Sequence, residues 1–274
     1  MEQNLKIELD KCIKCKACAR CCPTKVIEVT AEGAKEAFPS LCIACGHCVA
    51  VCPVAAIKHL KMSDDFGRVE DPAISFDQFN QLGRNRRSIR SFKFDPIKKE
   101  ILEKVLDAVR YIPTASNAQE LQYLIISDPK QIKLISSKIR QKTESVIFRF
   151  LYRLIYGKKA IEQQKELMSR FSPDEDYVLR GAPVLMIIYV KDKTPLSTID
   201  AGIAGHHMNL ACETLGLGVC WMGLHTLFSK YFKSIKKASL IPEEGYIVAS
   251  LGIGYSAEKY YKTCARNPLN ITWI

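Results

Sequence analysis

One spacing, used twice between residues 12 and 53, constrains this chain more than any other feature. It reads Cys12-x2-Cys15-x2-Cys18-x3-Cys22-Pro23 and then Cys42-x2-Cys45-x2-Cys48-x3-Cys52-Pro53. Two-residue gaps in a tight loop bring three thiols around one centre, and a fourth must come from elsewhere. Zinc sites usually show two paired ligand sets separated by a longer gap, not four thiols in one short run twice over. Twelve cysteines would suggest a secreted disulfide scaffold only in a short chain with a secretory signal. Met1-Glu2-Gln3-Asn4-Leu5-Lys6 has no apolar stretch of signal-peptide type, so a reducing cytoplasm is the expected compartment.

The doubled run resembles the bacterial ferredoxin signature for two [4Fe–4S] clusters. In such ferredoxins the last cysteine of each run ligates the other cluster. The resemblance then implies that Cys12, Cys15, Cys18 and Cys52 hold one cluster, and Cys42, Cys45, Cys48 and Cys22 the second. Val26-Ile27-Glu28-Val29 and Ala56-Ile57-Lys58-His59-Leu60 follow the two Cys-Pro pairs at equivalent offsets, an internal repeat of strand candidates. Cys21 stands off the motif and reads as a packed, non-ligating thiol. His47 reads as a solvent-side residue, since all ligand positions are filled.

The cluster module spans 1–62, and 63–80 is a polar tether with Ser63-Asp64-Asp65 and Asp71-Pro72 as breakers. Phe66, Val69, Ile74, Phe76 and Phe79 give the tether apolar anchors. A larger domain occupies 81–274. No apolar run reaches 18 residues, so no transmembrane helix is expected. Net charge is +11 with a pI near 9.0. Two clusters at −2 each lower +11 to about +7. No nucleic-acid motif is visible, and the remaining charge suits an acidic redox partner.

Arg84-Asn85-Arg86-Arg87-Ser88-Ile89-Arg90 places four arginines in seven residues. Guanidinium groups and a serine suit a phosphate and a polar chain, although the run alone reads equally as incidental basic surface. Asp95 as N-cap with Pro96 behind it predicts a helix start, and Ile101, Leu102, Val105, Leu106 and Val109 continue at helical spacing before Pro113. Pro113-Thr114-Ala115-Ser116-Asn117-Ala118-Gln119 is a loop that feeds the strand candidate 122–126. Val184–Val190 is apolar throughout and suits a buried central strand.

Arg86–Arg90, then Ser116-Asn117-Ala118-Gln119 before a strand, resembles the nitroreductase family of FMN enzymes. Asp200–Ala204 opening a helix, Leu215–Gly223, Leu251–Tyr255 and Arg266-Asn267-Pro268-Leu269 follow in the family's order, covering about 84–274. The resemblance implies an α+β chain: a small two-cluster ferredoxin-like domain, then a three-layer domain with a mixed, mostly antiparallel sheet flanked by helices. It implies that Arg86 and Arg266 bind the flavin phosphate, that Arg87, Ser88 and Arg90 serve ribityl and ring oxygens, and that Ser116, Asn117 and Gln119 reach the ring edge. Met222 and Gly223 fall where the family places backbone beside flavin N5. Some members carry glutamate at the Met222 position, and its absence argues against a carboxylate proton donor there. Helix 200–215 resembles the family's dimer-forming element, so a homodimer is expected; its spacing alone says only core helix.

Residues 138–178 are the least family-like. Lys138 to Glu166 holds eight Lys or Arg against three Glu. Val146, Ile147, Phe150, Leu151, Leu154 and Ile155 make it a basic amphipathic helix, which fits a lid or docking surface better than membrane contact, with Ser172-Pro173-Asp174 closing the insertion. His206, His207 and His225 read as structural; Cys212, Cys220 and Cys264 read as buried. The apolar tail Leu269–Ile274 suits packing on a neighbouring subunit. The expected activity is FMN-dependent reduction of a nitro, quinone or conjugated organic acceptor. Its electrons arrive singly through the clusters from an acidic low-potential donor such as a ferredoxin or flavodoxin. The alternatives are an NAD(P)H-fed flavoprotein exporting electrons through the clusters, and a non-catalytic carrier or redox sensor.

Overall fold

The computed structural model describes residues 3–274 apart from 64, 65, 72, 173 and 174, and excludes the side chains of 147, 149–153, 155, 156, 160, 161, 164 and 165. The expected breakers Asp64, Asp65 and Pro72, the closing Pro173-Asp174, and the helix-face residues Ile147, Phe150, Leu151 and Ile155 therefore lie outside the described residues. Contacts divide the chain into one unit of residues 1–73 with 114–119 and another of 74–113 with 120–274.

The first unit runs β1 (Leu5–Ile7), α1 (Ala17–Cys21), β2 (Ile27–Val29), β3 (Ala34–Glu36), α2 (His47–Ala50) and β4 (Ile57–His59). β1 pairs antiparallel with β4, and β2 with β3. The internal repeat is visible in the backbone. Lys14, Lys16 and Lys25 have φ of 57°, 62° and 57°, and Ala44, Gly46 and Ala55 have φ of 49°, 74° and 49° at the matching places. Left-handed backbone is uncommon outside glycine, so these turns mark loops wound tightly by what they enclose. The apolar core is small: Leu5, Cys18, Val26, Ile27, Ala34 and Ile57.

The second unit begins with α3 (Phe76–Asn85), α4 (Lys99–Val109), β5 (Gln122–Ile126), α5 (Pro129–Glu144) and α6 (Val146–Ser169). It continues with β6 (Val184–Val190), α7 (Pro195–Thr214), β7 (Gly218–Trp221), α8 (Gly223–Tyr231), α9 (Lys233–Ala238) and β8 (Tyr246–Gly254). The four strands form one antiparallel sheet in the order β5-β6-β8-β7. Alternate residues of a strand face opposite sides, and β6 feeds two cores. Val184, Met186, Ile188 and Val190 pack with Leu102 and Val105 of α4 and Ala204 and Met208 of α7. Leu185 and Ile187 pack with Ile135 and Ile139 of α5, Phe228 of α8 and Ile235 of α9. Helices on both faces of the sheet give the expected three layers.

Several boundaries differ from expectation. Asp95-Pro96 does not start the helix; Lys98 is extended at the N-cap, and Ile97 is held against the first of these cores. α7 begins at Pro195 rather than 200, because Thr194 and Ser197 form a capping box ahead of it. The basic helix is broken at Ser145, whose hydroxyl accepts the Phe148 N–H, and α6 is interrupted again at Gly157, which has φ 84° and ψ 172°. Ser75 and Gln78 cap α3 in what the sequence offers as tether. The tether's anchors Phe66, Val69, Ile74, Phe76 and Phe79 are exposed, as is Cys264, so none of them is core.

Close approach requires glycine at 218. A Cβ on Gly218 would lie 2.2 Å from Ile89 Cγ1 and 2.7 Å from Ile89 Cβ, atoms fixed to the backbone of a buried β-branched residue. Gly218→Ala is expected to destabilise this unit by about 1–3 kcal/mol. Chemical denaturation followed by Trp221 fluorescence measures it, and an unchanged midpoint would contradict the packing described.

Candidate functional site

Two cavities of near-equal size lie in the first unit. One, of about 20 Å³, is lined by Cys12, Cys15, Cys18 and Cys52, and the other, also of about 20 Å³, by Cys22, Cys42, Cys45 and Cys48. The tight turns throw three thiols of each run inward. Helices α1 and α2 carry each run's last residues across, so that Cys22 and Cys52 each join the opposite set. Among the described residues no three His, Cys, Asp or Glu close on a point as they would around a single ion. Thiols around a cubane stand further apart.

Burial pushes the Cys48 thiol up to about 12, and Cys45 and Cys42 beside it add to the effect. The Cys18 thiol is raised by burial too. Cys22 differs. Burial raises it, but the Val26 N–H at 3.3 Å, the Thr24 hydroxyl and neighbouring amides outweigh that and leave it below the ordinary thiol value. Crowded thiolates of this kind are stable only around a compensating cation, and a soft all-sulfur set suits iron–sulfur clusters. Cys21 is half-buried and donates to Cys18 O, and His47 is exposed.

In the second unit the arginine run starts in the last turn of α3 and continues as extended backbone from Arg86 onward. Ile89 N–H donates to Val219 O at 3.0 Å, and Ser88 bridges Val219 in parallel at the edge of β7. Extended backbone alternates, and this splits the run. Ser88 and Arg90 line a hollow with Arg180, Cys220, Met222 and Gly223, where α8 begins. Ile89 turns inward beneath Gly218. Arg87 turns the other way: its guanidinium donates to Lys262 O at 2.8 Å and Cys264 Sγ at 3.1 Å, and lies 4.3 Å from the Tyr260 ring. Glu213 is raised by burial, against the opposing pull of Arg87 and Arg86.

Burial raises the Cys220 thiol while Arg90 and Arg180 pull it down, so two cations face this hollow. Such a surface, with a serine hydroxyl and the first turn of a helix beside it, suits an anionic, oxygen-rich ligand. Arg180 escaped the sequence reading. It sits at φ 59°, just before Gly181-Ala182-Pro183, and this left-handed turn before a strand was the available signal. Arg266 lies in the exposed C-terminal stretch with its guanidinium on Ala265 O. Ser116, Asn117 and Gln119 do not line the hollow and cluster with the first unit. All three have left-handed backbone, and Asn117 Nδ2 donates to Ile43 O at 3.2 Å and Ala44 O at 2.9 Å.

His225, three residues past Met222, is a buried strut. Its Nδ1 meets Ser250 Oγ at 2.7 Å and its Nε2 meets Ser239 Oγ at 2.8 Å. Ser239 donates onward to Ile235 O, so it accepts from Nε2–H; Thr226 donates to Ser250, whose hydroxyl is then free to donate to Nδ1. The ring is therefore neutral, and burial pushes its pKa down to about 4. Below about pH 6.5 the unfolded chain protonates this residue and the native one does not, so stability falls with pH until about pH 4. His225 is expected to make this unit about 2 kcal/mol less stable at pH 5 than at pH 7. Denaturant titrations of the chain and of His225→Gln at both pH values measure it, and equal pH dependence in the two would count against it. His206 and His207 are exposed on α7.

The nitroreductase family model matches residues 84–255, and a 4Fe-4S dicluster domain model matches residues 4–53. A 4-nitrobenzoate reductase of Pseudomonas putida is 22% identical over 219 residues, covering 72% of this chain and 93% of that protein. An FMN reductase (NADPH) of Bacillus subtilis is 25% identical over 143 residues, 51% of each chain. A nitroreductase from Bacteroides fragilis, solved with bound FMN, superposes with a TM-score of 0.56 at 18% identity, over 70% of this chain and 97% of its own.

Proposed function

The chain belongs to the nitroreductase family, and on that premise we propose that it is an FMN-dependent oxidoreductase fed singly with electrons through two [4Fe–4S] clusters. The acceptor is a nitro, quinone or conjugated organic compound. One observation carries this reading: a dicluster module and a nitroreductase domain share one chain, and a nicotinamide-fed flavoenzyme has no need of the module. When bound, the clusters supply one-electron steps, and FMN couples these to two-electron reduction of an organic molecule.

The cysteine sets Cys12, Cys15, Cys18, Cys52 and Cys42, Cys45, Cys48, Cys22 hold the clusters. Arg86 and Arg266 hold the flavin phosphate, and Ser88 and Arg90, which line the hollow at Met222, orient the polar chain and ring oxygens; Arg87, held on Lys262 and Tyr260, acts on them indirectly. Met222 and Gly223 supply backbone beside the ring, and Met222 offers no carboxylate to move a proton there. The assembly is a homodimer, for which the exposed Leu196, Ile199 and Ile203 of α7 and the exposed tail residues Leu269, Trp273 and Ile274 provide apolar surface. No described helix is long and apolar enough to cross a membrane, and the proposed compartment is the cytoplasm. The donor is an acidic low-potential protein attracted by the basic chain.

Anaerobic protein is reduced at the clusters with a photochemical donor while the flavin absorbance is followed. Flavin bleaching behind cluster bleaching supports the relay; reduced clusters beside an oxidised flavin would sink it. Fast bleaching by NADH or NADPH would reverse the current, with the clusters exporting electrons. Reversible reduction without any acceptor that reoxidises the protein would make it a carrier or sensor.

A further inference from the structure

We propose that His59 and Thr24 donate hydrogen bonds to thiolates of one cluster only, making it the more easily reduced of the two. The proposal rests on the cluster reading above and adds an inequality between the clusters. The two halves of the module match at a fixed offset. Thr24 follows Cys22-Pro23 where Val54 follows Cys52-Pro53, and Val29 ends β2 where His59 ends β4. Val54 and Val29 line the cavity of Cys12, Cys15, Cys18 and Cys52. Thr24 and His59 line the other. Two valines facing one cluster are thus a threonine and a histidine facing its twin.

The polar pair reaches the sulfurs. His59 Nε2 lies 3.6 Å from Cys42 Sγ, and Thr24 Oγ1 lies 3.8 Å from Cys22 Sγ. His59 is only 4% exposed. Its Nδ1 accepts the Lys61 N–H at 3.2 Å, so Nδ1 carries no proton and Nε2 does, directed at the sulfur. The backbone bonds do not distinguish the halves: Val26 N–H donates to Cys22 Sγ at 3.3 Å and Ala56 N–H to Cys52 Sγ at 3.2 Å. One arises in each cavity.

Adding one electron makes a four-thiolate cluster more negative, so donors aimed at its sulfurs stabilise the reduced form more than the oxidised form. No proton moves in this step. The first electron therefore settles on the cluster of Cys22, Cys42, Cys45 and Cys48.

The test is an EPR-monitored dithionite titration of the full chain, purified anaerobically, with iron and sulfide counted first. The expected wild-type record has two separate one-electron steps. His59→Val, which copies the other half, should lower the upper step by about tenfold in equilibrium constant, about 59 mV, and leave the lower step in place. Thr24→Val should lower the same step by less, and His59→Gln, which keeps an N–H donor, should fall between. In partly reduced protein labelled with ¹⁵N-histidine, a weak nitrogen coupling should be present and vanish in His59→Val. Coincident steps in the wild type, an unmoved upper step at full iron, or a shift of the lower step instead would each overturn the proposal. If His59→Val loads poorly, Thr24→Val and His59→Gln decide. Iron near zero in the wild type would overturn the cluster reading itself, a different failure from an unmoved step.

Discussion

Alanine at Cys48 should cost the protein one cluster and most of the order in residues 1–62. Iron and sulfide per chain are expected to fall from about eight to about four or fewer. Among the described residues the buried apolar core of this module is six residues, one of them the ligand Cys18, too little to hold so short a module without a metal centre. Metal binding is here folding energy, because thiols as crowded as Cys48 and its neighbours do not stay together ionised on their own. Cys48→Ala should therefore be cut rapidly within 1–62 by a trace of protease, while residues from α3 onward resist, since their two cores contain no cluster ligand. Chelation of iron from the unaltered chain should give the same pattern. A Cys48→Ala protein that keeps eight irons, or whose module resists protease without them, would contradict the ligand assignment.

The second large effect concerns the flavin. Arg86→Ala with Arg266→Ala should yield protein with its clusters and without stoichiometric flavin. A hydrogen bond to a charged partner contributes about 1.5–3 kcal/mol, so removing two weakens binding by about 10²–10⁴-fold. Arg90→Ala alone should weaken it by about ten- to a hundredfold, because Arg90 faces the hollow at Met222 with one further arginine, Arg180. Arg87→Ala should act less directly, by freeing Tyr260, Lys262 and Cys264 from its guanidinium. Flavin released by heat and counted against iron reads all three variants. Full flavin retention in the double variant would move the phosphate to the Arg90–Arg180 hollow.

The hydrogen-bonded strut of His225 and the tight seat of Gly218 were beyond sequence reading for one reason. Each depends on residues far along the chain: Ser239 and Ser250 for the first, Ile89 for the second. The helix starts missed at Asp95 and Pro195 are local competitions. A capping box at Thr194–Ser197 wins, and a half-buried Ile97 packed on the core overrides a good cap–proline pair.

By itself the sequence determined what the cysteine module is. Ligand spacing in a tight loop is local chemistry, and four thiols so spaced, twice over, suit little besides a pair of cubane clusters. It also pointed to β6, whose unbroken apolar run suits a buried central strand. Tertiary structure decided how the arginine run is used. Pairing with the edge of β7 makes its later part extended, and extended backbone sends Arg87 to one side and Ser88 and Arg90 to the other. It also decided that the two halves of the module differ. The exchange of Val29 for His59 and of Val54 for Thr24 is plain in the letters, but its meaning requires knowing that both side chains end beside the same set of sulfurs.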